Sequence, residues 1–165
     1  MIAFQPLTRA DEGVIAHWLT QPHVLEWWHT NHTTPAEELQ MAMDAVDEDG
    51  VWPYFILHDG VPIGYIQAVD PFAWDGGFYF ADQPAGSRGV DLFIGEPGLI
   101  GQGLGSQIID AFAARLFAEG APKLLIDPDP DNHRAVKAYT KAGFTPYGEH
   151  NSAEYGHVLL MSRTA

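Results

Sequence analysis

The chain has 165 residues, 46% of them hydrophobic, which predicts one folded domain over residues 1–165 with a real core and excludes a disordered chain. It has no cysteine, so disulfides, thiolate metal sites and cysteine nucleophiles are excluded together. Eight Lys+Arg against 22 Asp+Glu give a net charge of −14, which disfavours a nucleic-acid partner and attracts a cationic small molecule, although acidity also serves solubility alone.

The opening "MIAFQPLTRADE" lacks the basic and then apolar pattern of a secretory signal. No apolar run is long enough to span a membrane, so a cytoplasmic protein without a membrane partner is expected. "IAFQPL" (2–7) alternates and predicts a first strand. "ADEGVIAHWL" (10–19) turns from acidic to apolar, as a helix does. "HVLEWW" (23–28) follows Pro22 and is strongly aromatic. "TTPAEELQMAMDAV" (33–46) carries a threonine cap, an early proline and early glutamates, all helix-start signals. "WPYFILH" (52–58) and "VPIGYIQAV" (61–69) flank Asp59-Gly60 and predict a hairpin. Residues 70–87 form a long Gly-, Pro- and aromatic-rich loop, a length that more often signals function than an idle connection.

"RGVDLFIG" (88–95) has the pattern of a buried strand. "LIGQGLGS" (99–106) follows, with glycines at 101, 103 and 105. Leu104, Ile108, Phe112 and Leu116 then recur every fourth residue, so a helix begins as the glycines end. "KLLID" (123–127) is a short buried strand, and "DNHRAVKAYTKAG" (131–143) a helix capped by Asp131 or Asn132 and stopped by Gly143. "FTPYGEH" and "EYGHVLLMS" close the chain as paired strands. With neither repeat nor linker, the fold class is a mixed α/β single domain.

The glycine stretch is suited to bring backbone N–H groups close to a phosphate. A nucleotide P-loop is excluded, because no lysine precedes Ser106. A dinucleotide fingerprint lacks its third glycine, Ser106 standing there, although Asp127 lies near the distance of the ribose-binding acid. A pyrophosphate on a strand–loop–helix turn remains, as does a turn that merely needs positive φ.

"NHRAVKAYTKAGF" (132–144) resembles the Asn-x-x-Ala-x-x-x-Tyr-x-x-x-Gly-Phe signature of the GNAT acetyltransferases through Asn132, Ala135, Tyr139, Gly143 and Phe144. It follows a loop resembling that family's Gln/Arg-x-x-Gly-x-Gly, with Gly103 and Gly105 matching and Ile100 in place of the polar residue. "HVLEWW", "VPIGYIQ", "WDGGFYF", "RGVD", "GQGLGS" and "IDPDPDNHRAVKAYTKAGF" follow the order of segments in the aminoglycoside 6′-N-acetyltransferases. That likeness runs from about residue 5 to the C-terminus; it is specific in 88–144 and looser in 30–60. Siderophore N-acyltransferases share the "EWW"-like and "PIGY"-like segments.

The resemblance implies a GNAT fold, a central mixed and mostly antiparallel sheet flanked by helices. It also implies acetyl-CoA as cosubstrate, no metal, and a cationic amine as acceptor. The pyrophosphate would lie over Gly101, Gln102, Gly103, Leu104, Gly105 and Ser106, with Phe93, Asn132 and Ala135 also in cofactor contact. Gln102 stands where relatives often carry lysine.

Asp91 lies in an otherwise apolar strand, where a carboxylate is costly unless it faces a cleft or has a partner. The resemblance gives it the role of base or amine anchor. It sets Asp127 across the amino sugar from Asp91 and adds Asp75 as a third acid, although Asp before Pro or Gly is also ordinary turn chemistry. Tyr139 would protonate the departing thiolate, and Trp28 and Tyr79 would wall the sugar rings; core packing is the plainer use of such rings. Trp27 and Trp74 are further candidate walls. His29, His32, His150 and His157 have no supporting carboxylate spacing for a metal and are expected at the surface, as is His133. The expected activity is direct acetyl transfer to the 6′-amine of an aminoglycoside, by a monomer or weak homodimer. The alternatives are a hydroxylysine-type siderophore acyltransferase and a non-catalytic acyl-CoA-binding or ligand-binding module.

Overall fold

Seven strands form one sheet in the computed structural model, which describes residues 1–28, 33–73, 79–153 and 156–165. The strands are β1 (Ile2–Pro6), β2 (Val51–His58), β3 (Val61–Val69), β4 (Arg88–Ile94), β5 (Lys123–Ile126), β6 (Thr145–Ser152) and β7 (Gly156–Thr164). The helices are α1 (Glu12–Trp18), α2 (Pro22–Leu25), α3 (Pro35–Asp44), α4 (Leu104–Ala118) and α5 (His133–Lys141). The sheet order is β1-β2-β3-β4-β5-β7-β6. All neighbours are antiparallel except β4 and β5, which are parallel and therefore need a crossover, supplied by α4. The expected mixed, mostly antiparallel sheet with flanking helices is the fold found.

Local chemistry explains the main boundaries. Asp59 and Gly60 both take positive φ, 50° and 83°, as a two-residue turn between twisted strands requires. Thr34 and Glu37 cap α3 reciprocally: the Glu37 N–H donates to Thr34 Oγ1 at 3.3 Å, and the Thr34 N–H to the Glu37 carboxylate at 2.7 Å. The helix expected over 10–19 divides into a 3₁₀ turn at Arg9–Asp11 followed by α1. The strand expected to reach Asp127 stops at Ile126, because Pro128 and Pro130 cannot donate to a ladder. Asp127 is thereby released from the sheet.

The core has two main faces. Ile66, Val90 and Leu124 pack beneath Ile108 and Phe112 of α4 and Tyr139 of α5. On the opposite face, Phe55, Tyr65 and Phe93 pack against Trp18 of α1 and Met43 of α3. Among the described residues no helix is long and apolar enough to cross a membrane.

Gly95, just past β4, shows how tightly the second face is built. A Cβ placed there would lie 2.2 Å from the Trp18 ring, which in turn donates its Nε1–H to Glu96 at 2.9 Å. Gly95→Ala must displace a fully buried indole, so it is expected to destabilise the fold by about 3 kcal/mol. Urea unfolding tests this; an unchanged midpoint would show that the indole can move aside freely.

Candidate active site

β4 and β5 pair only at Arg88 with Leu124 and Gly89 with Leu125, after which the two strands part. β4 runs on to Ile94 along β3 alone. The opening is a cleft of about 710 Å³ lined by Val90–Ile94, Ile126–Pro128, the start of α4 and one side of α5. Because the opening lies within the sheet, it is reached by side chains from both faces.

The Gly95 N–H donates to the Ile63 carbonyl at 2.8 Å. Antiparallel alternation then directs the backbone groups of Phe93 and Asp91 toward β3 and those of Leu92 and Ile94 toward the cleft. The Ile94 carbonyl accepts from Nε2 of His23 at 2.9 Å, so that ring nitrogen carries its proton. Phe93 reaches the cleft through its ring, which stacks on Tyr65 at 5.6 Å and meets the Trp28 edge at 4.9 Å. Trp27 and Trp28 both line the cleft.

Asp91 and Gln67 face each other in the β3–β4 register, and Gln67 Nε2 donates to Asp91 Oδ2 at 2.9 Å. The Tyr65 hydroxyl donates to Gln67 Oε1 at 2.7 Å and fixes the amide's orientation. Burial pushes the Asp91 carboxyl above its ordinary pKa, and the Gln67 hydrogen bond partly opposes this. Asp127, also on the cleft, accepts a hydrogen bond from the Tyr79 hydroxyl. Its pKa is pushed up to about 7 by burial and by the charge of Asp91, with the Tyr79 bond pulling it down. Tyr79 is not on the cleft wall; it stands behind Asp127, packed on His150 with ring centres 4.8 Å apart. Tyr139 reaches the cleft from α5. Its pKa is raised by burial and then by Asp91 and Asp127.

An acid with a raised pKa weakens the fold wherever the unfolded chain would already be ionised. The folded state binds the Asp127 proton between the ordinary carboxylate pKa and about 7, so stability falls as pH rises through that window. Asp127→Asn is therefore expected to unfold at higher urea than the parent at pH 8, with the advantage shrinking toward pH 4. A constant advantage across that range would show that Asp127 is not the strained group.

The three glycines of the loop have different tasks. Gly101 and Gly103 have φ of 80° and 77°, and a Cβ on either would meet nothing within 4 Å. Their requirement is the left-handed backbone, which costs a side chain about 1–2 kcal/mol. Gly103 is the N-cap of α4, whose first N–H groups have no partner within the helix and open on the cleft beside Leu104 and Ser106. Gly105 already belongs to α4, and a Cβ there would touch Ala138 of α5 at 3.5 Å. It sets the approach of two helices. Gln102 is off the cleft wall; its amide donates to the Gly98 carbonyl at 2.6 Å and closes the loop. Asn132 caps α5, its side-chain oxygen accepting from the Ala135 N–H at 3.1 Å, and both residues line the cleft.

Asp75 and Trp74, expected as an acceptor contact and a ring wall, lie outside the described residues, as do His29 and His32. His150 is exposed, and His157 pairs with Glu149 at 2.9 Å. His133 is exposed at the rim, as expected. Among the described residues no group of three or more His, Asp or Glu could hold a metal. Sequence reading missed Gln67, Tyr65 and His23. It also missed Arg134, Lys137 and Lys141, which line the cleft from α5. Their 3–4 residue spacing in a chain poor in cations was the available signal.

N–H groups left without a partner within α4 at its start, and half-buried carboxylates at the strands of the same cleft, suit a transferase that brings an anionic donor to a cationic acceptor. Residues 8–152 match the model described as an acetyltransferase (GNAT) domain, and the chain belongs to that family. It is 29% identical over 167 residues to the aminoglycoside N(6′)-acetyltransferase type 1 of Klebsiella pneumoniae, covering 99% of this chain and 83% of that protein. It is 34% identical over 80 residues to a kanamycin resistance protein of Rhizobium radiobacter, covering 48% of this chain and 73% of the relative. The crystal structure of aminoglycoside acetyltransferase AAC(6′)-Ib with coenzyme A superposes with a TM-score of 0.88 at 29% identity, over 99% of this chain and 95% of that one. Its complex with coenzyme A and kanamycin gives 0.87 at the same identity, again over 99% and 95%.

The residues present fit coenzyme A. A side-chain-free turn at Gly101 and Gly103 leads to exposed helix N–H groups, which suit a pyrophosphate, and the free edge of Leu92 and Ile94 offers donors to an extended amide-bearing arm.

Proposed function

We propose that this chain transfers the acetyl group of acetyl-CoA to the 6′-amine of an aminoglycoside, a modification of the antibiotic-resistance type. The observation that carries this reading is Asp91, held by Gln67 in a cleft it shares with Asp127 and Tyr139. Two half-buried carboxylates with raised pKa values stand to gain strongly from an ammonium partner.

Acetyl-CoA, when bound, supplies the activated thioester. The start of α4 holds its pyrophosphate, and the N–H groups of Leu92 and Ile94 offer the donors for its arm and for the reacting carbonyl oxygen. Asp127 anchors the acceptor's ammonium, with Asp75 as a third acid. Asp91 takes the proton that the reacting amine gives up, directly or through water. Trp28 supplies a flat wall to the sugar. Tyr139 keeps its proton and hands it to the leaving sulfur. All these residues come from one chain, which suits a monomer or weak homodimer acting in the cytoplasm.

The test is release of CoA from acetyl-CoA with kanamycin, spermidine and hydroxylysine as acceptors, with NMR of the product to locate the new amide. Acetylation of kanamycin at the 6′ position is expected. Turnover of hydroxylysine alone would assign the siderophore-type reaction, and no CoA release with any amine would leave a binding module.

A further inference from the structure

The chain's eight Lys and Arg residues divide into two groups. Five are engaged: Arg9 with Asp47, Arg88 with Asp70, Arg115 with Glu119, Lys123 with Gln83 and Arg163 with Asp110. Arg134, Lys137 and Lys141 make no ion pair or side-chain hydrogen bond among the described residues, yet all three line the cleft. In a chain of net charge −14, cations left unpaired beside so many carboxylates are best explained by an anion that comes from outside.

Their placement narrows that anion. At positions i, i+3 and i+7 they form one stripe along α5, on the side of Ala138. Ala138 is the residue against which Gly105, in the first turn of α4, is packed. The stripe therefore borders the N–H groups already assigned to the pyrophosphate and extends away from them by about 10 Å from Arg134 to Lys141. Those N–H groups and the helix dipole suit one pyrophosphate without further cations. Coenzyme A carries a second anionic group, the monoester on its ribose 3′ oxygen, with a charge approaching −2 at neutral pH.

We propose that Arg134, Lys137 and Lys141 seat the ribose 3′-phosphate of coenzyme A and make the enzyme select coenzyme A over its 3′-dephospho form. This rests on the placement of the pyrophosphate at α4 under the proposed function. The stripe also offsets the repulsion between an anionic donor and an acidic protein.

The experiment is calorimetric titration of the full chain with CoA and with 3′-dephospho-CoA, for the parent and for Lys137→Ala/Lys141→Ala. The parent is expected to bind CoA about 10-fold or more tightly than the dephospho form, as charge-assisted phosphate contacts predict. The double variant should lose most of that preference while binding dephospho-CoA within about 3-fold of the parent, which also controls for folding. Lys137→Arg/Lys141→Arg should keep the preference. Equal affinity of the parent for both ligands would overturn the inference, and so would a preference that survives in the alanine variant. An equal loss for both ligands would assign the cations to the pyrophosphate and likewise overturn it. A parent that binds neither ligand would instead refute the cofactor site on which the proposed function stands.

Discussion

Asp91→Asn is expected to lower kcat on an aminoglycoside by about 100-fold or more, with the Kd for acetyl-CoA almost unchanged. Asparagine has the size of aspartate, and its side-chain oxygen can still accept from Gln67 Nε2, which now lies 2.9 Å from the carboxylate. The Tyr65–Gln67 hydrogen bond is untouched. The variant thus removes a charge and a proton acceptor while keeping the geometry. A group that only anchors the substrate would show the loss in KM; a group that accepts the amine's proton shows it in kcat. A second readout follows from the pairing of the carboxylates. The charge of Asp91 helps to raise the Asp127 pKa to about 7, so removing it moves the Asp127 titration to lower pH. Any acceptor-binding step that requires ionised Asp127 should shift its inflection the same way. A kcat within about 3-fold of the parent would assign proton acceptance to water alone.

Composition and periodicity make the order of elements legible, because alternation, caps and turn residues are local. The "DG" turn, the Thr34 cap and the helix beginning at Leu104 are all where local chemistry puts them. Tyr139 and Asn132 were legible for the same reason: both belong to one helix, and the signature gives their spacing. Gln67 was not. It lies 24 residues from Asp91, and only the β3–β4 register brings the two together. The pattern "PIGYIQAV" shows a strand with one polar residue; it does not show which strand lies beside it.

The cleft itself escapes sequence reading for a related reason. Both "RGVDLFI" and "KLLI" have the pattern of buried strands, yet their pairing ends at Gly89 and Leu125. Hydrophobic patterning reports which face is buried and says little about where a ladder stops. The glycine loop was half legible. Its backbone freedom at Gly101 and Gly103 follows from composition, whereas Gly105 serves a helix contact that only the packing of α5 reveals. Phe93, expected beside the cofactor, turns its backbone to β3, and the free donors belong to its neighbours Leu92 and Ile94.

Tyr139→Phe is expected to reduce kcat about 100-fold while acetyl-CoA and acceptor affinities stay within about 3-fold of the parent. Tyr139 is only 9% exposed and packs in the core with Phe144, so phenylalanine fills the same space. Its side chain lines the cleft, and its hydroxyl makes no hydrogen bond to a described residue, so removing it leaves no orphaned partner among them. Burial, Asp91 and Asp127 all hold its pKa above the ordinary tyrosine value, and the phenol therefore keeps its proton throughout the working pH range. A raised pKa also makes it a weaker acid. The departing thiolate develops in the same cleft, where desolvation raises its basicity too, so the proton can still pass from the phenol to sulfur as the bond to carbon breaks. The decisive measurement varies the leaving group. With an acetyl thioester of a strongly acidic thiol, the sulfur needs no proton, and the defect of Tyr139→Phe should shrink toward the parent rate. If the variant's defect is as large with that thioester as with acetyl-CoA, Tyr139 shapes the cleft and does not act as the acid. If the variant turns over acetyl-CoA at the parent rate, water protonates the thiolate.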